Sequence, residues 1–226
     1  MIGTKAAFAL RLVDDYSGRV ITGKHFLFRK EGQTLKPVRK EEGLYVFLEP
    51  MNETERIEIS GADYFPCAAV VEKEKLKRTG LVMNVRLYGR PGGNFPYRRG
   101  LEEGTLPEEW SPFPVQVCVR RRRKTGLSVK EIRKEKGEQR LVVHGFTREQ
   151  LTGKTFAVSA KKRTEVFVIA QKLGMNEYRI EGEITGKYPD QTPIERAYRS
   201  VTDAGGSYWI PVEPEEMGDL TEIAVL

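Results

Sequence analysis

Apolar and polar residues alternate along this chain with a period of two far more often than with a period of 3.6. Residues 7–13, 24–29, 44–48, 55–59, 67–71 and 81–87 each read as a strand, and Glu55-Arg56-Ile57-Glu58-Ile59 alternates most cleanly. Successive side chains of a strand point to opposite faces, so such runs bury one face and wet the other. Turn signals separate them at Asp15-Tyr16-Ser17-Gly18, Glu31-Gly32, Glu41-Glu42-Gly43 and Ser60-Gly61-Ala62-Asp63. Short strands at regular spacing with Gly/Asp turns predict a β-sandwich or barrel. A second set covers 115–119, 140–144, 154–159, 165–170, 177–181, 197–201, 207–212 and 222–225. Helix is suggested only at 71–77, 147–151 and 193–198.

Between the two sets the alternation lapses. Residues 89–107 hold five glycines and three prolines, which reads as an interdomain linker or an extended edge segment. The expected organisation is all-β, with tandem immunoglobulin- or transthyretin-like sandwiches. The first spans 1–89, a Gly/Pro-rich linker spans 90–110, and the second all-β domain, a sandwich or a barrel, spans 111–226.

Two local patterns carry a resemblance. Leu12-Val13-Asp14-Asp15-Tyr16-Ser17-Gly18-Arg19-Val20-Ile21 joins two strands through an Asp/Gly turn. Gly43-Leu44-Tyr45-Val46-Phe47-Leu48 and Ala62-Asp63-Tyr64-Phe65-Pro66 follow, and Val201-Thr202-Asp203-Ala204-Gly205-Gly206-Ser207-Tyr208-Trp209-Ile210 forms a second turn of this kind near the end. The Asp carboxylate caps the turn, the Gly supplies positive φ, and the aromatic enters the next strand toward the core. These segments resemble the carboxypeptidase regulatory-like domain, a transthyretin-like sandwich. The resemblance covers the first 90 residues and the end of the second domain, and residues 120–190 depart from it. Two-domain chains of this look also resemble accessory proteins of phage-tail-like contractile injection particles. That likeness implies a structural role beside other protein subunits.

Composition narrows the classes. The chain has 226 residues, 38 basic and 32 acidic, for a net charge of +6. No apolar run approaches the roughly 20 residues of a membrane helix, and no membrane association is expected. Arg11, Asp14 and Asp15 follow the short apolar N-terminus at once, so no secretory signal is read. Cys67 and Cys118 lie in apolar strand-like runs and read as buried thiols in a reducing cytoplasm, whether the protein stays there or joins a released particle. The charge is uneven. Residues 120–163 carry 15 cations against 4 anions, whereas 164–226 carry 5 against 12.

Catalytic constellations are not evident. His25 and His144 each sit in a strand-like run. Ser159-Ala160-Lys161-Lys162 and Lys124-Thr125-Gly126 match fragments of a penicillin-binding enzyme in reversed order. Gly153-Lys154-Thr155 lacks the upstream glycine of a phosphate loop, because position 148 is Arg148. Adjacent acids such as Asp14-Asp15 and Glu215-Glu216 point apart on extended chain. Calcium at Asp14, Asp15 and Asp63 is an alternative with few charges. No catalytic, cofactor or metal residue is expected.

The sharpest local feature is Arg120-Arg121-Arg122-Arg123-Lys124, with Lys161-Lys162-Arg163 as a second cluster. Five neighbouring cations call for anions: the acidic segment of this chain, a second copy, another subunit, or nucleic acid. Phe95, Tyr97 and Trp110 lie in the Pro-rich stretch as candidate aromatic anchors. The expected function is a non-catalytic structural or adaptor protein that binds other subunits or itself through Arg120–Lys124, Phe95, Tyr97 and Trp110. The alternatives are a nucleic-acid-binding protein using residues 120–124 and a carbohydrate- or surface-binding module.

Overall fold

The computed structural model describes residues 6–135, 137–160 and 163–226. It is almost entirely β, as the alternation predicts, and falls into two compact units. One is built on Arg19–Phe95 and the strand before it. The other comprises Tyr16–Gly18 and Pro96–Leu226. Among the described residues no helix is long and apolar enough to cross a membrane.

The first unit contains β1 (Phe8–Asp14), β2 (Phe26–Lys30), β3 (Gln33–Leu35), β4 (Val38–Arg39), β5 (Leu44–Phe47), β6 (Thr54–Gly61), β7 (Tyr64–Glu72), α1 (Lys73–Arg78) and β8 (Val82–Leu87). Two four-stranded sheets, β4-β5-β1-β8 and β3-β2-β6-β7, form a sandwich. Leu10 and Leu12 of one sheet and Phe28, Ile57, Ile59 and Val71 of the other close the core. Phe8 stacks on Phe47 with ring centroids 4.6 Å apart. Glu55 occupies a core-face position of β6, where burial pushes its carboxyl up. Lys30 Nζ at 2.6 Å and the Asn52 N–H at 2.9 Å outweigh that and hold it below its ordinary range. Asp63 accepts from Lys24 Nζ at 2.7 Å and from the Asn94 N–H at 2.8 Å, so a lysine already neutralises the carboxylate considered for calcium. Helix α1 begins two residues later than the sequence suggests, because Val71 and Glu72 still pair with Glu55 and Thr54.

The second unit contains β9 (Gly100–Thr105), β10 (Gln116–Arg120), β11 (Leu127–Glu135), β12 (Glu138–Gly145), β13 (Thr155–Ala160), β14 (Arg163–Lys172), β15 (Glu177–Glu181), β16 (Ile194–Val201), β17 (Ser207–Val212) and β18 (Ala224–Val225). A curled sheet runs β11-β12-β15-β14-β13-β16-β10-β18, and β17 pairs with β9 apart from it. Phe156, Phe167, Ile169, Leu141 and Ile194 fill one core, and Val117, Val119, Tyr198, Ile210 and Val212 a second.

Five readings change here. Residues 100–105, read as linker, form β9 against β17, and the division between units falls after Phe95. Residues 194–198 belong to strand β16 rather than a helix, Pro193 bridges to Ser128, and 147–151 form no helix. Strand β11 has no counterpart in the alternation, because a bulge between Val129 and Glu131 shifts the inward positions from Leu127 and Val129 to Ile132.

The turn chemistry of residues 202–207 is as the pattern predicts. Asp203 Oδ1 accepts the N–H groups of Gly205 and Ser207, each at 2.9 Å, and Gly206 takes φ +81°. Tyr208 and Ile210 then enter the core.

Glu165 of β14 anchors the segment 185–188. Its carboxylate accepts from Tyr188 Oη at 2.8 Å and from the N–H groups of Thr185 and Gly186 at 3.1 and 3.0 Å. Burial pushes this carboxyl up, but the hydrogen bonds outweigh burial and lower its pKa. A carboxyl depressed on folding contributes stability above its unfolded pKa of roughly 4.3, and that contribution is lost as pH falls through the folded value. Glu165→Gln is therefore expected to lower stability at neutral pH and to flatten the loss of stability between about pH 5 and 3. Urea midpoints measured across that range check it, and parallel acid limbs for the two proteins would contradict it.

Candidate partner-binding surface

The basic run leaves the sheet at the end of β10, and its two halves have different fates. Arg120 Nη1 donates to Glu195 Oε2 at 2.5 Å and to Ser159 Oγ at 3.0 Å. Arg121 is only 4% exposed. Its guanidinium reaches Glu216 at 2.7 Å and Glu149 at 2.8 Å, and its Nε donates to the Arg123 carbonyl at 3.2 Å. Burial opposes the charge on Arg121, and the two carboxylates outweigh it, so its pKa is raised. Glu216 also accepts from Tyr198 Oη at 2.7 Å. Nearby, Lys154 meets Glu213 at 3.0 Å, and the buried Arg196 lies 4.5 Å from the Tyr198 ring centroid and donates to the Thr155 carbonyl.

Arg120 and Arg121 are thus internal tie points rather than a face for a partner, which corrects the expectation for these two residues. The anions they meet are the acids of this same unit. Arg122, Arg123 and Lys124 are exposed, and their side chains make no ion pair among the described residues. Of the second cluster, Lys161 and Lys162 lie outside the described residues, and Arg163 pairs with Glu165 at 2.5 Å.

The aromatic candidates are mostly occupied. Phe95, in the first unit, is half-buried, edge-on to Tyr64 at 5.5 Å with Lys24 Nζ over its ring. Tyr97 is half-buried beside Tyr16 at 5.1 Å. Trp110 stays 39% exposed at the end of a 3-10 turn, Glu108–Trp110.

Three residues that the sequence reading passed over stand beside the exposed half of the run. Phe146 is 77% exposed and Met175 is 87% exposed, the highest values among the exposed large hydrophobic side chains described, and Leu173 is exposed as well. Register brings their turns together. Leu127 pairs with Gly145, which places Gly126 against Gly145 and Phe146, and the Val143 N–H donates to the Asn176 carbonyl. Neighbouring strands lie about 5 Å apart. Turns 122–126, 145–149 and 173–176 therefore line one end of the curled sheet. The only sequence signal was an apolar residue inside a glycine turn, Gly145-Phe146-Thr147 and Leu173-Gly174-Met175-Asn176.

Other chemistry is sparse. Burial pushes the Cys67 and Cys118 thiols up to about 11, which removes thiolate character. Ser128 lies opposite His144 across the β11–β12 ladder, and His144 Nε2 is 2.8 Å from Asp190 Oδ1. Ser128 makes no hydrogen bond to the imidazole, so the nucleophile–base link is missing from this set. Among the described residues no three His, Cys, Asp or Glu side chains converge as metal ligands. An open cleft of about 190 Å³ in the first unit is walled by Phe8, Phe47, Ile57, Met51 and the Lys30–Glu55 pair. No protein-family model, curated protein or solved structure matches this chain.

Proposed function

We propose that this protein is a non-catalytic structural or adaptor protein that assembles into a larger protein complex, of the phage-tail-like contractile injection kind. On this reading the first unit is a carboxypeptidase regulatory-like, transthyretin-like sandwich. One observation carries the proposal. The basic run is divided between a half-buried and a buried arginine, Arg120 and Arg121, that fix its base and exposed cations held out on the turn that follows β10, the arrangement of a presenting surface rather than of a reaction centre. Exposed charges at such a surface set orientation and association rate more than affinity.

The test is size-exclusion chromatography with light scattering across a salt series, for the protein alone and mixed with the products of neighbouring genes. The expected result is a larger complex that weakens as salt rises and is lost on reversing Arg122, Arg123 and Lys124 to Glu. A strict monomer that joins none of those proteins overturns the proposal. A second reading, nucleic-acid binding, is favoured by the same three unpaired cations. It predicts salt-sensitive retention on DNA or RNA, with a slope set by the phosphates contacted.

A further inference from the structure

The two most exposed large apolar side chains, Phe146 and Met175, sit on adjacent turns of one sheet end, with Leu173 beside them. A lone exposed apolar residue needs no explanation, but a group at one place marks an interaction site. The same end carries five cations without an ion pair among the described residues: Arg122, Arg123, Lys124, Arg148 and Lys172. Its acids are mostly engaged. Glu149 is bound to Arg121, Asp190 to His144, and Asp219 accepts the Arg123 N–H.

We propose that this end of the second unit binds the surface of an anionic lipid bilayer. Phe146, Met175 and Leu173 enter the headgroup layer, and Arg122, Arg123, Lys124, Arg148 and Lys172 meet the lipid phosphates. The strength of peripheral binding grows with the apolar area buried plus the attraction of basic side chains to anionic lipid, and exposed apolar and basic side chains stand together here. The shape favours a bilayer over a protein partner. Phe146 and Met175 stand on separate projecting turns, so a protein would need a matching socket for each, whereas a lipid headgroup layer deforms around both. A single-stranded nucleic acid is disfavoured as the occupant of the apolar group, because stacking needs rings for successive bases, and Met175 and Leu173 offer none. The inference shares Arg122, Arg123 and Lys124 with the assembly proposed above, and it rests in addition on Phe146, Met175 and Leu173, which that reading does not use.

Sedimentation of the full chain with vesicles tests it. The probes are phosphatidylcholine alone and phosphatidylcholine with about a third phosphatidylserine. The wild type is expected to pellet with the anionic vesicles at low salt and far less with the neutral ones. Phe146→Ser with Met175→Ser is expected to weaken binding about tenfold or more, because apolar insertion is lost. Phe146→Trp is expected to retain it, because Trp favours the headgroup region. Reversal of Arg122, Arg123 and Lys124 to Glu is expected to abolish it. Unchanged thermal melts confirm that these surface variants fold. The proposal is overturned if the wild type fails to pellet at low salt, or if the Ser pair pellets like the wild type. It is equally overturned if the protein is retained on single-stranded oligo-dT and ignores both vesicles, or if Phe146 is needed only for a protein complex.

Discussion

Replacing Arg121 by Met is expected to cost about 3–5 kcal/mol, the usual loss when one partner of a buried ion pair is removed. The replacement leaves Glu149 and the more deeply buried Glu216 without their shared cation, with Tyr198 Oη still donating to Glu216. Arg122→Met, one position on, is expected to change stability by less than about 0.5 kcal/mol, because the side chain is exposed and unpaired. Both tryptophans of the chain, Trp110 and Trp209, belong to the second unit, so their emission during urea unfolding reports that unit alone. Adding Glu149→Gln and Glu216→Gln to Arg121→Met is expected to recover part of the loss, since the stranded charges are then gone. Equal midpoints for Arg121→Met and Arg122→Met would refute the division of the run into internal and presented halves.

Gly145→Ala is expected to be nearly as damaging, at about 3 kcal/mol or more. Gly145 has φ +91°, and an added Cβ would lie 2.0 Å from the Gly126 carbonyl oxygen. That atom is backbone of the turn residue just before β11 and cannot rotate away, so the β11–β12 ladder must open at the end that carries Phe146. Gly153→Ala separates strain from clash. Its φ is +86°, but its nearest atom would be 3.7 Å away, so only the backbone strain of about 1–2 kcal/mol is expected. If the two variants melt alike under the same tryptophan readout, the close approach at Gly145 is not what holds that end in place.

Much of the fold is legible in the residues, because period-two alternation survives wherever a strand buries one face throughout. Alternate residues of the predicted strand spans fill the cores of both units, as in Leu10-Leu12, Ile57-Ile59 and Leu141-Val143. The pattern fails for physical reasons at particular places. The bulge in β11 changes which residues face inward partway along. Strand β9, Gly-Leu-Glu-Glu-Gly-Thr, borrows its order from β17 and has little apolar surface of its own. Residues 193–198 mimic a helix only in composition, because Ile194, Arg196 and Ser200 are drawn to the core face by the pairing of β16 with β13 and β10.

The candidate site is half legible. Five successive cations are obvious in the chain, but which of them is consumed depends on carboxylates 28, 75 and 95 residues away. Phe146 and Met175 look like ordinary turn residues until strand register sets their turns side by side.

The bulge in β11 has a further consequence, for growth by addition of strands. This border strand carries Lys130, Glu131, Arg133, Lys134 and Glu135 along a kinked ladder, and its start is covered by residues 191–193. The opposite border, β18, is two residues long. Irregularity, charge and brevity each discourage a further chain from docking backbone to backbone. The eight-stranded sheet is therefore self-terminating: its two borders do not offer themselves for a ninth strand, and a union at this sheet runs through side chains.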